Sequence, residues 1–425
     1  MKGRGFTMDI CAKRGFEVIE KLAFERVSGS PEEKKAAEML YEMAAETGVQ
    51  VEIEPFEVED GIVHKASLEI LEPYQQSYEV TGYIRSASTA DEGLVADFVY
   101  IENALAVNMV DVKGKIVLIN GRCAKATYEK LMKAEVAAIV TGSGSMLDKD
   151  ESSDLGINKL RPILTDENGF AVAVNTRIRD AVDMVRRGAS KAKIVVKSEC
   201  IKKTSHNVYA TVPGTDKADE IIAFGAHYDS VFFSAGVYDN AAGSAVLMEL
   251  LRHYAKNPAR RTLRFMWYGS EEQGLLGSKH FVAAHPEIVE KTQIMINVDV
   301  GAPVMGHEVV IVTGEKSAAD YIDGLMKEHG LAAEVKQDIY SSDCIPFADK
   351  GIAAFNFMRP GAPGASFIHD RNDQLFFLSP EGLNGTLQTA ALFTEHVANC
   401  FMLPVAKTVP SDITEKVDKY LFKKK

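Results

Sequence analysis

Tryptophan occurs once in the 425 residues and cysteine five times. Cys11, Cys123, Cys200, Cys344 and Cys400 are scattered, odd in number and never spaced as C-x-x-C. That usage disfavours a disulfide framework and a thiolate zinc site, and it fits a reducing compartment. Long hydrophobic runs are missing too, and no stretch of sequence is apolar enough to cross a bilayer. The amino-terminal MKGRGFTMDICAKRGFEVIEKLAF is broken by charge throughout, where a secretory signal needs about 7–15 uninterrupted apolar residues. The expectation is a cytoplasmic protein, with a trimmed export signal left open. Basic side chains are in deficit: 48 against 60 acidic ones give a formal charge of -12. Neither nucleic acid nor an anionic membrane is therefore expected as a partner. Only the tail KYLFKKK runs the other way, and it reads as a solvated terminal charge run.

What is present suits a soluble globular protein: hydrophobic residues make up 46% and charged residues 25%. The length exceeds one ordinary core, so two or three domains are expected. SGSPEEKKAAEMLYEMAAETG reads as a helix, with Ser30 as N-cap, Pro31 at the first position and Glu33 reaching back as a capping box. The segment VQVEIEPFEV follows as a strand. From about Tyr83 to Lys197, short β-type runs such as KGKIVLING and AAIVTG alternate with helical pieces such as YEKLMKAE and IRDAVDMVRRG. None of these carries a cluster of His, Asp and Glu. Residues 83–197 are accordingly expected to form an inserted domain, and 1–82 with 198–425 a discontinuous main domain.

After His206 the texture is strand, helix, strand: ADEIIAFGAH, NAAGSAVLMELLRHYAK, RTLRFMWYG, then TQIMINVD and GIAAFNF. Near-continuous apolar strands between amphipathic helices indicate an α/β sheet covered on both faces. Ligands of such sheets bind beyond the carboxyl ends of the strands. His227 and Asp229 lie where IIAF gives way to loop. Glu271 and Glu272 follow FMWYGS, Asp299 ends INVD, Asp239 precedes NAAGSA, and His369 lies in the late loop SFIHDRND. Each has a plainer reading: His227 as a hydrogen-bonded structural residue, Asp239 as a helix cap, the two glutamates as a solvated pair. Taken together, histidines and carboxylates at one sheet edge form a donor set for a borderline divalent ion, zinc above all, with cobalt or manganese as alternatives. The other eight histidines lack this strand-end setting.

The motifs GAHYDS, GVYDNAAG, YGSEEQGLLGS, NVDVG and IHDRND, in this order, resemble those of the co-catalytic di-zinc exopeptidases, the family of bacterial leucyl aminopeptidases, aminopeptidase Y and glutamate carboxypeptidase. VKGKIVLINGRCAKATYEKLMKAEVAAIVTG is similar to a protease-associated domain, a common insertion in that family. The implied fold is a mixed, mostly parallel central sheet flanked by helices, with the inserted smaller α/β domain. The resemblance implies two zinc ions: one held by His227 and Asp299, the other by Glu272 and His369, with Asp239 bridging. It further implies Asp229 as the residue orienting His227 and Glu271 as general base. Short peptides are the implied substrates, and a homodimer is compatible. The chain departs from the family at SSDCIPF, where many relatives have a histidine in place of Cys344.

An aminopeptidase is the leading reading. A dipeptidase or carboxypeptidase would need a cation for the substrate's terminal carboxylate, a position Arg359 in NFMRPGAPG could fill. A glutaminyl cyclase would be expected to use a single zinc, and a receptor-like binding protein to have lost ligands.

Overall fold

The computed structural model describes residues 8–149 and 155–423. The chain forms two compact units, Met1–Phe56 with Thr204–Lys425, and Glu57–Lys203. The first unit opens with helices α1 (Ala12–Lys21) and α2 (Pro31–Ala45). Ser30 caps α2 as its sequence requires, its hydroxyl accepting from the Glu33 amide at 3.0 Å. Glu33 reaches back one residue further than a capping box does, and accepts from the Gly29 amide at 2.7 Å. Strand β1 (Gln50–Glu72) then leads out of the first unit.

The second unit contains β2 (Gln76–Tyr78), β3 (Val80–Gly82), β4 (Leu94–Tyr100), β5 (Ile116–Leu118), β6 (Ala138–Ser143) and β7 (Ala173–Arg177). Its helices are α3 (Lys125–Lys133), α4 (Pro162–Asn168) and α5 (Ile178–Arg186). β4, β5, β6 and β7 are successively parallel, and β3 pairs antiparallel with β7. Ala181 and Met184 of α5 pack into one core; Tyr128 and Leu131 of α3 with Leu164 of α4 pack into another. β8 (Lys191–Val212) pairs antiparallel with β4 and returns the chain to the first unit. The sequence pattern puts the ends of this unit at 83 and 197, whereas the compact unit runs from Glu57 to Lys203. β1 explains the difference: it runs 23 residues without a break, and its Leu68 and Ile70 already pack with Phe98 and Ile116.

In the first unit the chain continues through β9 (Lys217–His227), α6 (Ala242–Lys256), β10 (Arg261–Tyr268), α7 (Leu276–Ala284) and α8 (Pro286–Lys291). Next come β11 (Thr292–Val298), β12 (Glu308–Thr313), α9 (Lys316–Glu328), β13 (Ala333–Gln337) and α10 (Cys344–Ala348). β14 (Ala354–Met358), α11 (Pro380–Asn399) and α12 (Ser411–Tyr420) complete it. The strand order is β13-β12-β14-β11-β9-β10-β8. The central four, β14, β11, β9 and β10, are parallel, while β8 and β12 run antiparallel to their inner neighbours. The sheet is thus mixed and mostly parallel, as expected.

Alternation along these strands feeds two cores. Ile222, Phe224, Ala226, Leu263, Phe265, Trp267, Ile294 and Ile296 face α1, α6 and α11, with Phe224 and Phe265 stacked at 4.5 Å. Ala223, Met266, Tyr268 and Met295 face α7, α8, α10 and α12. The register sets Tyr268 opposite His227, Asn297 opposite Gly225 and Val298 opposite Phe357. Four parallel strands therefore end within a few residues of one another along one edge. Among the described residues no helix is long and apolar enough to cross a membrane. In the KYLFKKK tail, Lys423 pairs with Asp349, and Lys424 and Lys425 lie outside the described residues.

Helix α6 starts against the end of β11, and Gly243 permits the approach: a Cβ there would lie 2.2 Å from the Val298 carbonyl oxygen. Because the obstacle is backbone, it cannot turn aside. Gly243→Ala is expected to destabilise the fold by about 1–3 kcal/mol, read as a lowered urea midpoint at unchanged slope. An unchanged midpoint would show that α6 can shift without penalty.

Candidate metal centre

Strand β9 ends on His227, which is 1% exposed. The segment that follows loops out and returns as the turn before α6, where Asp239 is also buried. Asp373 holds that turn, its two oxygens accepting from the amides of Tyr238 (2.8 Å) and Asp239 (3.2 Å). The Asp239 side chain then faces two ways. Its Oδ1 lies 3.0 Å from Nε2 of His227, and its Oδ2 lies 3.0 Å from Nε2 of His369.

Each histidine has a further carboxylate. Asp299, the first residue beyond β11, places Oδ1 3.5 Å from His227 Nε2. Glu272 places Oε1 3.1 Å from His369 Nε2. The donor atoms form two groups that share Asp239, namely His227, Asp239 and Asp299, and Asp239, Glu272 and His369, with the atoms of each group within 4.8 Å of one another. His369 reaches its place from a residue in left-handed conformation (φ 58°).

Asp229 ties the two halves together. Its Oδ1 accepts from the Glu271 amide at 2.9 Å and its Oδ2 from the Glu272 amide at 3.2 Å, while Oδ1 lies 3.5 Å from Nδ1 of His227. One buried carboxylate thereby sets the β10–α7 turn and faces the far side of an imidazole. Glu271 belongs to neither donor group.

The electrostatics follow from crowding. Burial would favour neutral imidazole at His227, but Glu271, Asp229, Asp239 and Asp299 outweigh it and raise its pKa well above the ordinary value. At His369 burial is again overcome, here by contacts with Asp239 and Glu272, and the pKa is pushed up to about 10. Asp239 shows the converse: burial opposes its charge, yet the two histidines hold its pKa below the usual carboxylate range. Burial raises Glu271 well above the ordinary range, and the charges of Glu272, Asp343 and Asp299 add to it against the pull of His227.

Two other positions singled out in the sequence have different surroundings. Arg359 is engaged within the fold: its Nη1 donates to Glu308 Oε1 at 2.8 Å and its Nε to the Pro303 carbonyl at 3.0 Å. Its Nη2 makes only a longer, exposed contact, 3.5 Å to the Val304 carbonyl. Cys344 is fully buried, its thiol raised by burial and by Asp343 and Asp299, as befits a small core residue. His280 and His285 turn to Glu54, at 3.5 and 3.0 Å.

Sequence reasoning misses four supporting residues. Asp373 is in the quoted IHDRND motif, but nothing in the pattern separates it from Asp370. Asn240 ties the Asp239 turn to β11 by donating to the Val298 carbonyl at 2.8 Å and accepting from the amides of Gly243 and Val300. Arg26 is fully buried and donates to the carbonyls of Leu22, Phe24, Tyr228, Ala235 and Gly236, binding both ends of the loop between β9 and Asp239. Burial lowers its pKa to about 10. Asp343 is fully buried, and burial pushes its carboxyl up to about 7.

Two imidazoles and three carboxylates with a shared bridge fit a pair of borderline divalent ions. Glu272 Oε1 and Asp299 Oδ1 are buried without a donor in hydrogen-bonding geometry, as metal-ligating oxygens are.

Residues 207–394, which contain all five donors, match Peptidase family M28. The matched span covers less than half of the chain and lies within the first unit. Aminopeptidase YwaD of Bacillus subtilis is a relative, 26% identical over 411 residues that cover 90% of this chain and 84% of that protein. Carboxypeptidase Q of Homo sapiens is 23% identical over 374 residues, 84% of this chain and 76% of its own. Among solved structures, an aminopeptidase from Aneurinibacillus sp. strain AM-1 superposes with a TM-score of 0.72 at 26% identity, covering 95% of this chain and 97% of that one.

If Asp229 orients both His227 and the Glu271–Glu272 turn, Asp229→Asn leaves only one oxygen to accept two amides. Zinc affinity, measured by competition with a chromophoric chelator, is expected to fall about 10–100-fold. Wild-type affinity in the variant would remove Asp229 from that role.

Proposed function

We propose that the protein is a zinc-dependent aminopeptidase that removes amino-terminal residues from short peptides, with two zinc ions per chain. The carrying observation is the divided carboxylate of Asp239, each oxygen 3.0 Å from a different histidine. His227 and Asp299 would hold one ion, Glu272 and His369 the other, and Asp239 both. Bound there, the two ions supply Lewis acidity toward the peptide carbonyl and toward a water.

The chain's own groups do the rest. Glu271, next to the donor Glu272 but in neither donor group, takes a proton from the attacking water at its carboxylate. The water oxygen adds to the carbonyl carbon, the C–N bond breaks, and Glu271 returns the proton to the departing nitrogen. Asp229 keeps Glu271 and Glu272 in place through their amides. Family relatives include both aminopeptidases and a carboxypeptidase. The pairing of Arg359 with Glu308 favours the first, since part of that cation's charge is already met within the fold. We further take Glu57–Lys203 as a protease-associated-like domain, on the strength of its parallel β4–β7 with helices on both faces.

Elemental analysis of the purified protein is expected to give close to two zinc equivalents per chain, and exhaustive chelation to abolish hydrolysis of amino-acid naphthylamides. Full turnover in a verified metal-free sample would overturn the reading, and faster release from blocked-amine dipeptides than from naphthylamides would favour a carboxypeptidase. The two glutamates are separable by their metal content. Glu271→Gln should keep both ions and lose about 10²- to 10⁴-fold in kcat, whereas Glu272→Gln should lose occupancy of one site and recover in part with excess zinc. The opposite pattern would exchange their roles.

A further inference from the structure

The turn that presents Glu271 is anchored at a second point, away from Asp229. Ser270, the residue immediately before Glu271, is fully buried and held in left-handed conformation (φ 59°). Its hydroxyl donates to Ser205 Oγ at 2.7 Å, lies 2.5 Å from Ser28 Oγ and comes within 3.4 Å of Glu33 Oε1. Ser205 in turn donates to Glu33 Oε1 at 2.6 Å. Hydroxyls from two distant stretches of chain, Ser205 and Ser270, therefore converge on one buried carboxyl group, and Ser28 joins them through Ser270. Gly269 makes room for it, since a Cβ there would lie 2.6 Å from Glu33 Oε1 and from Ser205 Oγ.

Capping α2 does not account for this arrangement. The helix end uses only Oε2 of Glu33, through the Gly29 amide. Oε1 points to the other side, into the turn after β10. Serine resists the left-handed region, and such a residue persists where its surroundings over-determine it. At Ser270 that determination is the hydroxyl relay ending on Glu33.

We propose that Glu33 is a positioning residue for the base: through Ser205 and Ser270 it fixes the backbone from which Glu271 extends toward the reacting water. The inference rests on the assignment of Glu271 as general base. Without Oε1 the relay loses its acceptor, Ser270 is free to leave the left-handed region, and the Glu271 carboxylate moves with it. A displacement of the order of 1 Å costs about 10²-fold in rate.

The test uses the full-length, zinc-loaded enzyme and the variants Glu33→Ala, Glu33→Gln, Ser270→Ala, Glu271→Gln and the Glu33→Ala/Glu271→Gln pair. Metal content and thermal midpoint are measured beside kcat and KM, with assays well below each midpoint. Glu33→Ala and Ser270→Ala are expected to keep two ions and nearly unchanged KM while kcat falls about 10²-fold. Glu33→Gln should recover most of that loss, because its carbonyl oxygen can meet the Gly29 amide while its amide donates to Ser205 and the hydroxyls reverse. In the Glu271→Gln background, Glu33→Ala should lower kcat no further. A lowered midpoint with wild-type kcat in Glu33→Ala, or a full additional loss in the double variant, would overturn the inference. If Glu33→Ala does not fold, Ser270→Ala decides by the same criteria. Wild-type kcat in Glu271→Gln alone would instead overturn the assignment of the base.

Discussion

Seven carboxyl groups, those of Asp229, Asp239, Glu271, Glu272, Asp299, Asp343 and Asp373, gather around the rings of His227 and His369, and most of them are buried. Charge of one sign cannot be taken out of water in this quantity without compensation. Arg26 does not provide it through ion pairs, since its donors are directed to backbone carbonyls. Part of the compensation is protonation, since burial raises Glu271, Asp343 and Asp373, and the rest falls to cations seated among the carboxylates themselves, as imidazolium or as metal. The local structure reads as a set of devices for holding that excess in place. Asp373 and Asp229 accept backbone amides, which lowers the penalty of their own burial and spends them on geometry. Asp239, Asp299 and Glu272 are left with oxygens directed at the histidines.

The sheet makes such a gathering available. Parallel strands point their carboxyl ends the same way, so residues far apart in sequence arrive at one edge without long connections. His227 and Asp299 stand at strand ends in adjacent strands, and the Glu271–Glu272 turn follows the strand on the other side of His227. Only His369 and Asp239 come from loops; Asp373, four residues beyond His369, ties the two loops together, and Asn240 and Arg26 hold the second.

This division also explains what the sequence reveals. Donors at strand ends are legible because a run such as IIAF or IMINV announces both the strand and the point where it stops. The supporting residues are not, because their partners are backbone groups far along the chain: Arg26 meets Gly236 across 210 positions. An isolated arginine in a loop carries no periodic signal. Arg359 has the same difficulty in reverse, since its place after a strand is visible but its partner Glu308 is 51 residues away. The start of the inserted unit is hidden for another reason. β1 passes from one unit to the next as one unbroken strand, so no turn residue marks the boundary near Glu57.

The interruption of the first unit affects how the chain is made. Its first 56 residues supply α1, Arg26 and Glu33, whose partners lie beyond residue 204: Cys11 binds Glu249 through its amide across 238 positions, and Arg14 binds the same carboxylate. On the ribosome this amino-terminal piece emerges first and waits while the whole inserted unit and most of the central strands are synthesised. The inserted unit, continuous in sequence, can complete its own core in that interval, since domains generally fold as units during synthesis. The apolar face of α1, with Val18 and Ile19, stays exposed until α6 and α11 have emerged. Contacts that close such long loops carry a large entropic cost before they form. The charged residues Lys13, Glu17, Glu20 and Lys21 line the opposite, exposed face of α1, so the helix carries its own solvated side throughout that wait.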